Sequence, residues 1–234
     1  MKDLPPLTPR LRAVASLVRE GVNVADIGTD HAYLAVWLVR SGGCGRCIAC
    51  DVNAGPLERA RETLRAYGAQ DRVELRLADG LDAVRAQEAD DVVIAGMGGE
   101  LIAEIIARCG WLRESSKHLV LQPMTAQPEL RRALCRSGFE IVREGAAREG
   151  AKLYVVISAV FTGRVSEPDE LYAIAGRLPE NTGPEARDYL LWQAAVLRRQ
   201  AAGMRKTLRL LVQAEQAELL AQKLEALAYH TNSN

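Results

Sequence analysis

Two periodicities alternate along this chain. Val22 to Ile27, Cys47 to Asp51, Val73 to Leu77, Asp91 to Ala95 and Leu119 to Leu121 are short apolar runs, as expected of strands buried on both faces. Between and after them, apolar residues recur at spacings of three and four. The pattern predicts helices over Ala32 to Val39, from an Asn53 cap to Tyr67, over Glu100 to Cys109 and over Glu129 to Ser137, with Gly68 and Gly138 as stops. An opening helix is marked by Thr8 as N-cap, Pro9 at the first helical position and a stripe of Leu11, Val14, Leu17 and Val18. Beyond Gly138 the rhythm changes. Phe139 to Arg143 and Leu153 to Phe161 are strand-like with no helix between them, which predicts an antiparallel hairpin. The expected fold is α/β, a mostly parallel sheet with one reversed strand.

Val165-Ser166-Glu167-Pro168 marks a boundary, so a domain over residues 1–164 and a helical one over 165–234 are expected. From Glu185 to about Tyr229 there is no proline and one glycine, Gly203. Leu190, Ala194, Leu197, Ala201, Met204, Leu208 and Leu211 form a coiled-coil seam that loses phase at Glu215 and Glu218 and resumes at Leu220, Leu224 and Leu227. A hairpin turning near Val212 to Gln216 would bury this seam within the chain; pairing through an open seam would make a dimer. A monomer or weak dimer is therefore expected.

The 234 residues are 48% hydrophobic and 26% charged, with zero formal net charge. That balance excludes an extended disordered chain and gives no global attraction for nucleic acid. The distribution is less even, because Arg187, Arg198, Arg199, Arg205, Lys206 and Arg209 crowd one stretch of the tail. Such a face is either simply solvated or a grip for an acidic macromolecule. No apolar stretch approaches the ~20 residues of a membrane span, and Met1-Lys2-Asp3-Leu4-Pro5-Pro6 has no apolar export core. A cytoplasmic location away from membranes is expected. Cys44, Cys47 and Cys50 superficially resemble a cluster-ligand run. On a strand, however, Cys47 and Cys50 point to opposite faces, and no metal is expected.

The most specific chemistry lies in Val24-Ala25-Asp26-Ile27-Gly28-Thr29-Asp30-His31. Asp51 closes a second strand roughly twenty residues beyond the Gly28 turn, the ribose-gripping arrangement of nucleoside-cofactor folds, and Asp79 follows the third. Asp30 and Ala32 occupy places where a dinucleotide fingerprint carries glycines. An aspartate there would repel a pyrophosphate at the helix N-terminus. It suits the sulfonium and ammonium groups of S-adenosylmethionine; the alternative is that Asp30 only caps a helix beginning near His31.

Together, Leu7-Thr8-Pro9-Arg10-Leu11, Asp26-Ile27-Gly28-Thr29-Asp30-His31-Ala32-Tyr33-Leu34, Ala78-Asp79-Gly80-Leu81, Ile94-Ala95-Gly96-Met97-Gly98-Gly99 and Leu121-Gln122-Pro123 resemble the bacterial tRNA adenine N1-methyltransferases acting on adenosine 22, the TrmK family. The resemblance covers roughly residues 7 to 161 and, in kind, the helical tail. It implies a class I (Rossmann-like) methyltransferase sheet with a C-terminal coiled-coil appendage, S-adenosylmethionine as cofactor and tRNA as partner. Carried over, Asp26, Gly28, Thr29 and Asp30 would line the methionine end, Asp51 the ribose, and Val52, Asp79 and Gly80 the adenine, with Ala95 and Gly96 alongside. Gly96, Met97, Gly98 and Gly99 stand where amino-group methyltransferases carry an Asp/Asn-Pro-Pro-Tyr/Phe motif, so ring-nitrogen chemistry is implied. Arg10, His31 and Tyr33 are candidates for the substrate side, His31 also as a base. Arg198, Arg199, Arg205 and Arg209 are candidates for the tRNA body. A small-molecule or protein acceptor, or a non-catalytic adaptor, remains open at this stage.

Overall fold

A computed structural model describes residues 4–230, the side chain of His230 excepted. Met1 to Asp3, part of the N-terminal stretch read above, and residues 231–234 lie outside it. Seven strands form one sheet: β1 (Val22–Ile27), β2 (Cys44–Asp51), β3 (Val73–Leu77), β4 (Asp91–Gly98), β5 (His118–Thr125), β6 (Phe139–Glu149) and β7 (Lys152–Phe161). Their order is β3-β2-β1-β4-β5-β7-β6. β1 to β5 pair in parallel, whereas β7 runs antiparallel to both β5 and β6. The single reversed strand therefore sits one place in from the edge. The strand order turns back between β1 and β4, the position where open α/β sheets bind ligands beyond their carboxyl ends.

Helices α1 (Pro9–Ala15), α2 (Tyr33–Arg40) and α3 (Ala54–Tyr67) cover one face of the sheet; α4 (Gly99–Arg108) and α5 (Gln127–Arg136) cover the other. Thr8 caps α1 as expected, its hydroxyl accepting from the Leu11 N–H. Val24, Cys47, Ala49, Val93 and Val120 join Leu34, Leu38 and Leu64 in one core, and Ile48, Cys50, Ile94, Leu119 and Leu121 join Ile102 and Leu130 in the other. Cys47 and Cys50 thus belong to opposite cores. Burial pushes the Cys50 thiol up to about 12, and no metal-binding cluster occurs among the described residues.

Several strands outrun their sequence signal. β5 continues past Leu121 through Pro123, which has no N–H to donate. It is accommodated because β7 pairs with β5 only from His118 to Leu121, and the β4 register shifts opposite it. β4 likewise runs through Gly96, whose φ of +82° makes an irregular end to the strand. β6 and β7 extend beyond the sheet as a two-stranded ribbon turned at Gly150.

The tail folds as α6 (Glu170–Ala175), α7 (Pro184–Met204) and α8 (Leu211–His230). α7 and α8 pack against each other as an antiparallel pair, with Arg187 over the Tyr229 ring at one end and Arg205 bonded to Glu218 at the other. The turn comes at residues 205–210, ahead of the expected Val212 to Gln216. Leu208 continues the apolar spacing but is 86% exposed, so it belongs to the turn and not to the seam. On α8 the buried residues are Ala214, Ala221, Leu224 and Ala228, while Leu220 and Leu227 are only partly buried. The core of the sheet runs without a break into the hairpin through Leu178, Ala186, Tyr189 and Leu190. A fully buried ion pair fixes that root. Arg131 Nε and Nη2 bond Glu144, and its Nη1 donates to the Ala173 and Ile174 carbonyls at the end of α6. Gly176 follows there because a methyl group would collide with both side chains. No described helix is long and apolar enough to cross a membrane.

Candidate cofactor and substrate site

The carboxyl ends of β1 and β4 and the N-termini of α1 and α2 surround a cavity of about 240 Å³. Its lining includes Arg10, Asp26, Gly28, Asp30, His31 and Gly96. The β1 turn is backbone-driven. Gly28 and Thr29 both donate to the Cys50 carbonyl at 2.9 Å, which ties the turn to the end of β2. Gly28 has φ +73°, which favours glycine, and a methyl group on it would push aside the terminal methyl of Met97. Asp30 and Ala32 also lie in the left-handed region, at φ +50° and +55°. Such a conformation costs a non-glycine residue roughly 1–2 kcal/mol, and here the cost falls twice within one turn of the candidate site.

Asp26 is 4% exposed, and its carboxylate accepts the Thr29 hydroxyl at 2.6 Å. Burial raises its pKa to about 6 against the lowering effect of Thr29, and the nearby charge of Asp51 adds to the rise. The group is therefore an anion held at a cost, and a cation placed beside it would relieve that cost. Asp51 is 9% exposed and accepts one backbone N–H on each oxygen, from Asp30 at 3.2 Å and Asn53 at 2.9 Å. Two of its roughly four lone-pair directions are used, which fixes the plane of the carboxylate and leaves two directions open. Val52 beside it is 62% exposed, an apolar surface with nothing packed over it.

Asp79 stands at the rim after β3, where Arg108 Nη1 donates to it at 2.9 Å and holds its carboxyl below the usual range. Gly80 has φ +56°. On the opposite wall, Gly96 N donates to Gln122 Oε1 at 3.1 Å, and Arg10 Nη1 donates to the same oxygen at 2.7 Å. The Arg10 guanidinium lies 5.7 Å from the centre of the Tyr154 ring. His31 and Tyr33 stack at 5.6 Å with a 14° interplanar angle, partly exposed at the mouth. His31 Nε2 and Arg59 Nη2 flank the Asp30 carboxylate at 3.7 and 3.5 Å.

The structure thus gathers Arg10, Asp26, Gly28, Thr29, Asp30, His31, Tyr33, Ala95 and Gly96 around one cavity, with Asp51, Val52, Asp79 and Gly80 along the same rim. Met97 leans on Gly28. Gly98 and Gly99 open α4, and a methyl group on Gly99 would strike the Ala126 carbonyl oxygen, so packing against the end of β5 accounts for that glycine. The four tail arginines stand elsewhere, on the hairpin. Arg198 is tied to Glu218 and Glu225, and Arg205 to Glu218, whereas Arg199 and Arg209 are exposed. Sequence reasoning gave no role to Gln122, Tyr154, Arg59 or Arg108. Gln122 alone had a local signal, an uncharged polar residue ending an apolar strand.

A family model described as a methyltransferase domain matches residues 7–157. The tRNA (adenine(22)-N(1))-methyltransferase of Bacillus subtilis is 33% identical over 172 residues, which cover 74% of this chain and 72% of that protein. Among solved structures, a Streptococcus pneumoniae protein in complex with S-adenosyl-L-methionine superposes with a TM-score of 0.80 at 29% identity, covering 94% of this chain and 100% of that one. The B. subtilis M1A22 tRNA methyltransferase TrmK gives 0.75 at 26% identity, with 97% and 99% covered.

Proposed function

This chain belongs to the methyltransferase-domain family and, within it, to the tRNA (adenine(22)-N(1))-methyltransferases, and on that premise we propose that it transfers a methyl group from S-adenosylmethionine to N1 of adenosine 22 in tRNA. The observation that carries this reading is the row of carboxylates Asp26, Asp51 and Asp79 at the ends of β1, β2 and β3. It faces a fourth wall, Gly96-Met97-Gly98-Gly99, without a polar side chain.

The residues fit the cofactor. When bound, S-adenosylmethionine supplies a methyl group made electrophilic by its sulfonium charge. Asp26 and Asp30 hold the cationic methionine end, and Asp26 gains most because it is buried, whereas Asp30 is already flanked by His31 and Arg59. The two open directions on Asp51 accept the ribose hydroxyls. Val52 lies against the adenine, and Asp79 accepts its amino group.

Adenine N1 attacks with an in-plane lone pair and needs no prior deprotonation, which agrees with the absence of a base in the Gly96–Gly99 wall. The task left to the protein is positioning, which can supply much of a barrier reduction. The target base is extruded into the cavity at a cost of a few kcal/mol. There the Gly96 turn, fixed by Gln122, gives it a close backbone surface, and Arg10 and the His31–Tyr33 stack border the entrance. Methyl transfer would carry positive charge from the sulfonium to the adenine ring, and Asp26 and Asp30, which line the cavity, would stabilise a cation held there. The test is incubation with labelled S-adenosylmethionine and bulk bacterial tRNA, then chromatography of the digested nucleosides. N1-methyladenosine is expected; N6-methyladenosine, or a guanosine or pyrimidine product, would refute the reading.

A further inference from the structure

Asp79 does not meet the cofactor site as a free carboxylate. α4 ends at Arg108, and the phase of that helix carries the guanidinium across to the loop after β3. Arg108 Nη1 donates to Asp79 Oδ2 at 2.9 Å, and Oδ1 has no partner among the described residues. Arg108 Nη2 also lies over the Gly80 backbone, 3.4 Å from where a methyl group on Gly80 would stand, with Ile105 on the same side at 3.1 Å. Asp82 and Glu104 add their fields to that of Asp79 in holding the guanidinium there. About half of each partner is exposed, so the pair is too solvated to matter for folding. Its position beside Asp79, the carboxylate assigned above to the adenine, calls for another explanation.

We infer that Arg108 is a positioning residue for base recognition: it holds the Asp79 carboxylate rotated so that Oδ1 faces the amino group of the cofactor's adenine. This rests on the reading above that Asp79 accepts that amino group. One carboxylate oxygen is held by protein and the other is presented to the ligand, so a hydrogen-bond donor on the purine is accepted and an acceptor is repelled. A carboxylate free to rotate would discriminate less, because it could turn away from the wrong base.

The discriminating probe is a pair of product analogues: S-adenosylhomocysteine, with a 6-amino group and a lone pair on N1, and S-inosylhomocysteine, with a 6-carbonyl oxygen and a proton on N1. Calorimetry on the full chain should show the wild type preferring the adenine form by at least about tenfold. Arg108→Ala should weaken S-adenosylhomocysteine by up to about fivefold and leave S-inosylhomocysteine nearly unchanged, so that the preference shrinks. Arg108→Lys should recover part of it, and thermal unfolding should be the same in all three proteins. Asp79→Ala separates the role of the carboxylate from that of the arginine behind it. If Asp79→Ala abolishes the preference and Arg108→Ala keeps it whole, Asp79 reads the base alone and the inference about Arg108 is wrong. If neither variant changes the preference, the Asp79 reading falls and takes the inference with it.

Discussion

Replacing Asp26 by Asn should make the ligand-free protein more stable and the enzyme worse. Asp26 is buried at the end of β1, and its pKa is raised from the ordinary carboxylate range to about 6, chiefly by burial. A carboxyl whose folded pKa lies above its unfolded value binds its proton more tightly when folded. Its contribution to stability is therefore most favourable below about pH 4 and is lost as pH rises through 6. The shift of about two units corresponds to a penalty of about 3 kcal/mol at pH 7.5. Asn keeps an oxygen for the Thr29 hydroxyl and carries no charge. The variant should accordingly gain up to about 3 kcal/mol at pH 7.5, or roughly 6–12 °C in Tm for a chain of this size, and nothing near pH 4. Cofactor affinity should move the other way, falling about tenfold or more with the removal of a charge-assisted hydrogen bond. In the wild type it should fall about tenfold between pH 7 and pH 5 as the competent ionised fraction shrinks. Thermal unfolding at both pH values and calorimetry with S-adenosylhomocysteine measure all of this. A variant that is less stable at pH 7.5, or equally shifted at both pH values, would refute the linkage.

Asp51→Ala should weaken S-adenosylmethionine binding by about 10- to 150-fold with an unchanged fold, measured by calorimetry and circular dichroism. Gly28→Ala should cost roughly 1–2 kcal/mol for its left-handed backbone and reduce cofactor affinity by displacing Met97; adding Met97→Ala should restore part of the affinity and none of the backbone cost. On the hairpin, Arg199→Glu with Lys206→Glu and Arg209→Glu should weaken tRNA binding and flatten its salt dependence by about 0.7–0.9 of a log unit for each phosphate no longer neutralised. Arg198→Glu should act mainly on hairpin stability, because its charge is already engaged by Glu218 and Glu225. Filter binding across salt concentrations and thermal unfolding separate the two effects.

The strand runs and their acidic ends were legible because a buried parallel strand must be apolar and its carboxyl end must change character where it meets the ligand. Asp26, Asp51 and Asp79 stood out on that ground. What was not legible came from partners far apart in the chain. Arg10 and Gly96 meet on Gln122, Asp79 meets Arg108, and nothing near those residues in sequence announces the pairing. Pro123 hid the second half of β5, since a proline argues against a central strand; the early end of β7 and the register shift on β4 make it harmless. The hairpin turn was misplaced because Leu208 and Leu211 extend the apolar spacing of α7, while α8 packs largely through alanines, whose burial leaves a weak signal. The charges of the tail could be counted from sequence, but their cancellation could not, since it depends on which glutamates α8 brings opposite Arg198 and Arg205.

The buried Arg131–Glu144 pair has a bearing on how this molecule could be recombined with others. Its guanidinium donates to two main-chain carbonyls of α6, so the helical arm is keyed to the catalytic body through atoms that every sequence possesses but that only one backbone path presents. A chimera carrying a foreign arm should therefore be joined upstream of Glu170, so that α6, the Gly176 bend and the arm travel as one cassette. A junction placed after Gly176 would have to match the incoming arm to a socket shaped for another. A graft that respects the first junction would keep the lock and change only the reach, a practical route to redirecting such an enzyme toward a differently shaped RNA.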